Sequence, residues 1–363
     1  VTLRLLVVST PTGAIGSGAG GGVELTLVSL VAGLLERGHA VTVLAPEGSR
    51  LPPCCAGAAL ELCAGALQPS WQHRQRDEPV TMPHGAVLAG LWDRALQRAD
   101  GMDRVLNLAY DWLPFWLTPH LRTPLHHLVS MGSVSEAMDA AIETVARRDL
   151  SRLAFHTRSQ AADFQLPGVP TVLGNGFDLS AYSLTEQPDP VLGWVGRIAP
   201  EKGLEDAARA AALAGLPLRI WGRLEDTAYA AAVEASVPAG TLEWGGFLPT
   251  ELLQARLGRC LALLNTPKWN EAFGNVVVEA MACGVPVIAY DRGGPGELVQ
   301  PGENGLLVAA DDVPAMAQAV ATVGQLDRAG VRRWAERHCS REAFAERVEG
   351  WLLGRGVAIG SPL

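Results

Sequence analysis

The 363-residue chain has a formal net charge of −9 and a pI near 5.4, an acidic balance that argues against nucleic acid or an anionic membrane as the main partner. At this length two domains are expected, with room for a cleft between them and a small soluble partner in it. Six cysteines lack CxxC or zinc-finger spacing and read as reduced core residues, and no apolar run is long enough to span a bilayer, so a metal-free cytoplasmic protein is expected.

The first strand, Leu3 to Ser9, is followed by a glycine-rich stretch containing Gly16-x-Gly18-x-x-Gly21, then by an apolar helix, Val23 to Leu35, closed by Gly38, and by a second strand, Ala40 to Ala45. A dinucleotide fingerprint requires a tight turn after the first strand and an acidic residue ending the second. Here the loop is about a dozen residues, against the usual two to six. The second strand runs into Pro46, with Glu47 beyond it. What remains is a loop whose N–H groups approach a phosphate at a helix N-terminus, or a merely flexible one.

Strand-like runs continue at Arg104 to Tyr110, Leu125 to Ser130, Arg152 to His156, Pro170 to Leu173, Val191 to Val195, Leu218 to Trp221, Leu242 to Trp244, Cys260 to Asn265 and Val285 to Tyr290. Their alternation with helical patterns predicts parallel sheets covered by helices. Gln68 to Val80 reads as an exposed loop, and the polar, proline-bearing Leu179 to Pro190 as the interdomain linker. Each half is then a doubly wound α/β domain, residues 1–178 and 179–340. The amphipathic stretch from Arg341 packs on either half.

Chemistry concentrates in the second half. Gly196-Arg197-x-x-Pro200-Glu201-Lys202-Gly203 follows a strand and opens a helix, so two cations stand where a diphosphate would bind. Lys202 and Lys268 are the only lysines among 29 basic residues, and Lys268 reads as a surface group or a second phosphate contact. Glu271 and Glu279 bracket Ala272-Phe273-Gly274-Asn275 and, if both were helical, would stand roughly 12 Å apart along the axis. A retaining hydrolase pair needs about 5.5 Å, so the two are read as gripping the two ends of one long ligand, such as the sugar and ribose of a nucleotide sugar. In the first half, Tyr110-Asp111-Trp112 follows a strand at the edge where open α/β sheets bind ligands. Aromatic faces with one carboxylate suit a flat heterocycle or a sugar, and equally suit core packing with Asp111 as a cap.

Taken together, Gly196-Arg197-x-x-Pro-Glu-Lys202-Gly, the Glu271-x7-Glu279 pair, Asn175-Gly176-Phe177-Asp178 and Gly20-Gly21-Gly22-x-Glu24 resemble the retaining glycosyltransferases of family 4 over nearly the whole chain. The resemblance implies a GT-B fold, two doubly wound parallel-sheet domains facing a central cleft. An N-terminal acceptor domain would be joined by the returning C-terminal helix, 341–363, and the C-terminal domain would bind the nucleotide sugar. It implies that Arg197 and Lys202 hold the donor pyrophosphate, that Glu271 with Ala272, Phe273, Gly274 and Asn275 meets the hexose and phosphates, and that Glu279 binds the ribose. Gly21 and Gly22 would present backbone N–H groups. Where that family usually has a histidine touching the transferred hexose, the chain has Ser130; either His127 supplies an imidazole from nearby or the site manages without one. The motifs "YDWLP", "SMGS" and "GGGVELTL" resemble a branch that glucosylates tetrahydrobiopterin from UDP-glucose, which would make Tyr110, Asp111, Trp112, Ser130 and Met131 acceptor contacts. That implies no cofactor and no metal beyond the donor substrate. A saccharide or lipid acceptor, and a nucleotide-sugar epimerase, are the rival readings.

Overall fold

The computed structural model describes residues 1–18 and 20–355. It divides into two compact units: unit 1 holds Val1–Phe177 and the chain from Arg341, and unit 2 holds Asp178–Ser340. Residues 356–363 of the expected terminal helix lie outside the described residues.

Unit 1 is built on seven strands, β1 Arg4–Val8, β2 Ala40–Pro46, β3 Ala59–Cys63, β4 Arg104–Asn107, β5 Leu125–Leu128, β6 Leu153–Phe155 and β7 Thr171–Val172, in the order β3-β2-β1-β4-β5-β6-β7. All neighbouring pairs are parallel. In β1, Leu5, Leu6, Val7 and Val8 are buried without alternation, because helices cover both faces of a parallel sheet. The order reverses between β1 and β4, and the loops after these two strands carry the glycine-rich stretch and Tyr110–Trp112.

The C-terminal helix Arg341–Leu352 lies against the helix Gly22–Glu36 of the same unit. Phe344, Val348, Trp351 and Leu352 enter the β1–β2 core, the Trp351 indole N–H donates to Ser151 O at 2.7 Å, and the Arg341 N–H donates to Phe177 O at 3.0 Å.

Unit 2 repeats the plan with β8 Leu192–Val195, β9 Leu218–Trp221, β10 Leu242–Gly246, β11 Ala262–Asn265, β12 Val287–Tyr290 and β13 Gly305–Val308, ordered β10-β9-β8-β11-β12-β13. Two strands, β3 and β13, escape sequence reading. Both are edge strands: Glu61 interrupts β3, whereas β13 is apolar throughout but only four residues long and partly exposed. The expected linker is not one. Leu179–Ala181 forms a turn packed into unit 2, where Arg332 donates to Leu179 O and Tyr182 O and Arg328 donates to Thr185 O.

Phe344 is fully buried on the returning helix. Phe344→Ala is expected to destabilise unit 1 by about 3–5 kcal/mol, the cost of deleting a buried aromatic ring, as measured by denaturant titration. A loss below about 1 kcal/mol would show that the helix contributes little to that core.

Candidate functional site

In unit 2 the sheet order reverses between β8 and β11, and the segments leaving these two strands carry the predicted donor residues. Arg197 lies two residues beyond β8, and the turn Pro200–Lys202 leads into Gly203 and the helix Leu204–Ala214. The other segment runs from Thr266 through Lys268, Trp269 and Glu271 to the helix Asn275–Ala282. Gly203 has φ +65°, and a Cβ there would sit 1.9 Å from Thr266 O, so only glycine lets the two segments close. Their approach is fastened by Thr266 Oγ1 donating to Gly203 O at 2.8 Å and by Lys268 N–H donating to Glu201 O at 2.8 Å.

The closure pairs Lys202 with Glu271. Trp269 supports both: its indole N–H donates to Glu271 Oε1 at 3.3 Å, and its ring centroid lies 5.0 Å from Lys202 Nζ. Arg197 spans two carboxylates, with Nη2 2.7 Å from Glu201 and Nη1 2.7 Å from Glu225. Glu271 precedes its helix whereas Glu279 lies within it, so the two glutamates do not share one helical face. Glu279 is 9% exposed, and Tyr182 Oη–H donates to its Oε1 at 3.2 Å. Burial pushes the Glu279 carboxyl above its usual range, against the opposing hydrogen bond from Tyr182. Phe273 is buried at the turn where Ala272, Gly274 and Asn275 lead into the helix, so its ring packs inside unit 2.

Lys268 turns away from this group. Its ammonium pairs with Asp206 and, at 2.9 Å, with Asp311, while Tyr290 Oη–H donates to Asp206 at 2.7 Å. These bonds tie the segment that carries Lys268 to the helix Leu204–Ala214 and to Asp311.

In unit 1 the glycine-rich loop is organised by its own carboxylate. Glu24, 8% exposed, accepts the N–H groups of Gly16 at 2.9 Å, Gly18 at 3.2 Å and Gly20 at 2.6 Å. The loop is neither a dinucleotide turn nor an unstructured one, and these three N–H groups are spent internally. Gly21 and Gly22, at the helix start, are exposed.

Around Asp111 the structure separates core from surface. Tyr110 is buried, with its hydroxyl donating to Gly132 O at 3.0 Å, while Trp112 is half-buried and stacks on Trp116 at 5.7 Å. Asp111 is buried beneath Trp71, whose indole N–H lies 3.4 Å from Oδ2. Burial raises its carboxyl above the usual range despite that contact. Gln68 to Val80 is a largely exposed loop, as read, with Trp71 as an exception: it is 3% exposed and carries the Arg74 guanidinium stacked on its ring at 4.4 Å. A single tryptophan in that polar run was the available signal. Ser130 is half-buried and Met131 buried, on backbone held by Gln160 Nε2 donating to Val129 O and Met131 O.

His127 does not serve as the catalytic imidazole. It is fully buried and stacked on Phe115 at 4.3 Å. Asn107 Nδ2 donates to its Nδ1 at 3.1 Å, so Nε2 carries the proton and donates to Thr118 Oγ1 at 2.8 Å. Burial holds its pKa well below the ordinary value, and the ring stays neutral.

Among the described residues no three or more His, Cys, Asp or Glu side chains gather as an ion site, and no helix is long and apolar enough to cross a membrane. Two doubly wound parallel-sheet units, with paired cations and carboxylates at a switch point, have the architecture of a GT-B glycosyltransferase. The solved structure of AviGT4, a glycosyltransferase involved in avilamycin A biosynthesis, shares this fold with a TM-score of 0.71 at 24% identity over 97% of this chain and 98% of that one. So does Anabaena HepE in complex with UDP, with a TM-score of 0.72 at 19% identity over 97% and 99%. The profile described as "Glycosyl transferases group 1" matches residues 179–352. The D-inositol 3-phosphate glycosyltransferase of Rhodococcus erythropolis is 30% identical over 350 residues, 84% of this chain and 78% of that protein. The chain belongs to the group 1 glycosyl transferases.

The raised pKa of Glu279 has a consequence for stability. A carboxyl that holds its proton more tightly when folded favours the native state at low pH, and that contribution is lost as pH climbs through the raised folded value. Glu279→Gln keeps an acceptor for Tyr182 and removes the charge. It is expected to be more stable than the parent above that range, with the difference vanishing on acidification. Denaturation midpoints measured across pH check this, and a difference independent of pH would contradict the burial cost.

Proposed function

We propose that unit 2 binds a nucleotide-sugar donor, UDP-glucose, and that unit 1 binds a small ring acceptor to which the hexose passes with retention. The observation that carries the donor assignment is the set Arg197, Lys202, Glu271 and Glu279 gathered at the carboxyl ends of β8 and β11. A diphosphate takes the two cations, hexose hydroxyls take Glu271, and ribose hydroxyls donate to Glu279, which has a single hydroxyl donor from Tyr182.

During transfer the bond from the anomeric carbon to the diphosphate oxygen breaks. The acceptor oxygen bonds to that carbon on the same face, and its proton passes to the departing phosphate oxygen. Arg197 and Lys202 stabilise the growing negative charge, so the protein needs neither a nucleophile nor a metal ion. Arg197→Ala and Lys202→Ala are each expected to weaken UDP binding by about 1.5–3 kcal/mol, the value of a charge-assisted hydrogen bond. Calorimetry in EDTA tests both points. Unchanged affinity in both variants would sink the donor assignment, and activity that vanishes in EDTA and returns with magnesium would sink metal independence.

For the acceptor, the buried Asp111 carboxyl between Trp71 and Trp112 suits the amide edge and exocyclic amine of a pterin such as tetrahydrobiopterin. A second reading, a cyclitol or saccharide whose hydroxyl donates to Asp111, is favoured by the similarity to a D-inositol 3-phosphate glycosyltransferase. Asp111→Asn presents a donor where the ligand donates, and should cost about 1–3 kcal/mol in transfer. Donor hydrolysis without acceptor should be unaffected. Steady-state rates with a pterin and with inositol 3-phosphate separate the readings, and an equal fall in transfer and hydrolysis would remove Asp111 from the acceptor site.

A further inference from the structure

The donor site of unit 2 has an electrostatic conflict. Arg197 and Lys202 bring two positive charges, Glu201, Glu225 and Glu271 bring three negative ones, and each cation is already in an ion pair. A group summing to −1 repels a diphosphate, so carboxylates must release their cations when the anion enters.

Glu225 is set against Arg197 by backbone rather than by chance. Gly196 N–H donates to Trp221 O at 3.0 Å, Ile198 N–H to Arg223 O at 2.9 Å, and Asp226 N–H to Ile198 O at 3.2 Å, lacing the segment after β8 to the segment after β9. Gly222 permits this approach at φ +151°, where a Cβ would lie 1.7 Å from Gly196 O. Asp226 then caps the helix Thr227–Ala235 by accepting from Tyr229 N at 2.8 Å. The backbone of Glu225 is therefore held, and only its side chain is able to swing. The Arg197 and Glu225 side chains are 29% and 31% exposed, a setting in which an ion pair is weak and exchangeable.

We infer that Glu225 is an internal competitor for the donor diphosphate. It keeps the Arg197 guanidinium in place in the unliganded protein, yields it to phosphate oxygens, and recaptures it as the nucleoside diphosphate leaves. Glu201, on the same turn as Lys202, shares the role. The inference rests on the donor assignment of Arg197 and adds that donor affinity is held below what the cations alone would give.

Calorimetric titration with UDP of the parent, Glu225→Gln, Glu201→Gln, Arg197→Ala and the Arg197→Ala/Glu225→Gln double variant tests it. Glu225→Gln is expected to bind UDP about two- to fivefold more tightly, the range open to a partly exposed ion pair. Glu201→Gln should shift affinity in the same direction, and the gain from Glu225→Gln should disappear when Arg197 is absent. UDP binding that is unchanged or weaker in both glutamine variants, with Arg197→Ala still weak, overturns the inference and leaves the donor site standing. Parent-like binding by Arg197→Ala overturns the inference and removes Arg197 from the donor site.

Discussion

The contact between Gly203 and Thr266 underlies the rest of the site in unit 2. A strand order that reverses between β8 and β11 leaves two neighbouring parallel strands whose following segments depart to opposite faces of the sheet, and a crevice opens between them. Here the crevice is drawn shut at one point, where a Cβ on residue 203 would lie 1.9 Å from a carbonyl oxygen. Lys202 precedes that glycine and Glu271 follows Thr266 by five residues, so backbone closure delivers an ion pair between residues 69 positions apart. The Trp269 indole reinforces the pair.

Charge is divided between two neighbourhoods of different character. Lys268 is pinned by Asp206, itself almost fully buried, with Tyr290 donating to the same carboxylate, and that network holds the segment carrying Glu271. Burial would raise the Asp206 carboxyl, but the hydrogen bonds from Lys268, Tyr290 and Arg209 outweigh it and keep the group below its usual range. Arg197 instead faces two carboxylates, Glu201 and Glu225, that retain access to water, where an ion pair is weak and exchangeable, whereas Lys202 pairs with the buried Glu271.

Unit 1 solves its own anion problem internally. Backbone N–H groups of a glycine-rich loop gather readily around a negative charge, and Glu24, two residues into the following helix, supplies it. The polar residues near Asp111 follow a similar economy: His127 uses both ring nitrogens on Asn107 and Thr118, and Tyr110 uses its hydroxyl on Gly132 O. The buried Asp111 carboxyl draws the Trp71 indole among the described residues, with the Trp112 and Leu113 backbone beside it.

Much of this architecture is legible in the residues alone. Buried parallel strands such as Leu5–Val8 and Leu192–Trp194 must be apolar on both faces, so they stand out as unbroken runs, and Arg197, Lys202, Glu271 and Glu279 stand out as charged residues beyond such runs. Edge strand β3 carries no such signature because Glu61 interrupts it and part of it meets solvent. Nor does local pattern say which partner a polar group will take. That Lys268 goes to Asp206, that Glu24 fills its own loop, that Tyr182 leaves an apparent linker to meet Glu279, and that His127 is sealed behind Phe115 were decided only by tertiary structure. The reason is physical: periodicity reports which face of a segment is buried, whereas hydrogen bonds and ion pairs form within about 3 Å, between groups whose separation along the chain carries no information until register and packing bring them together.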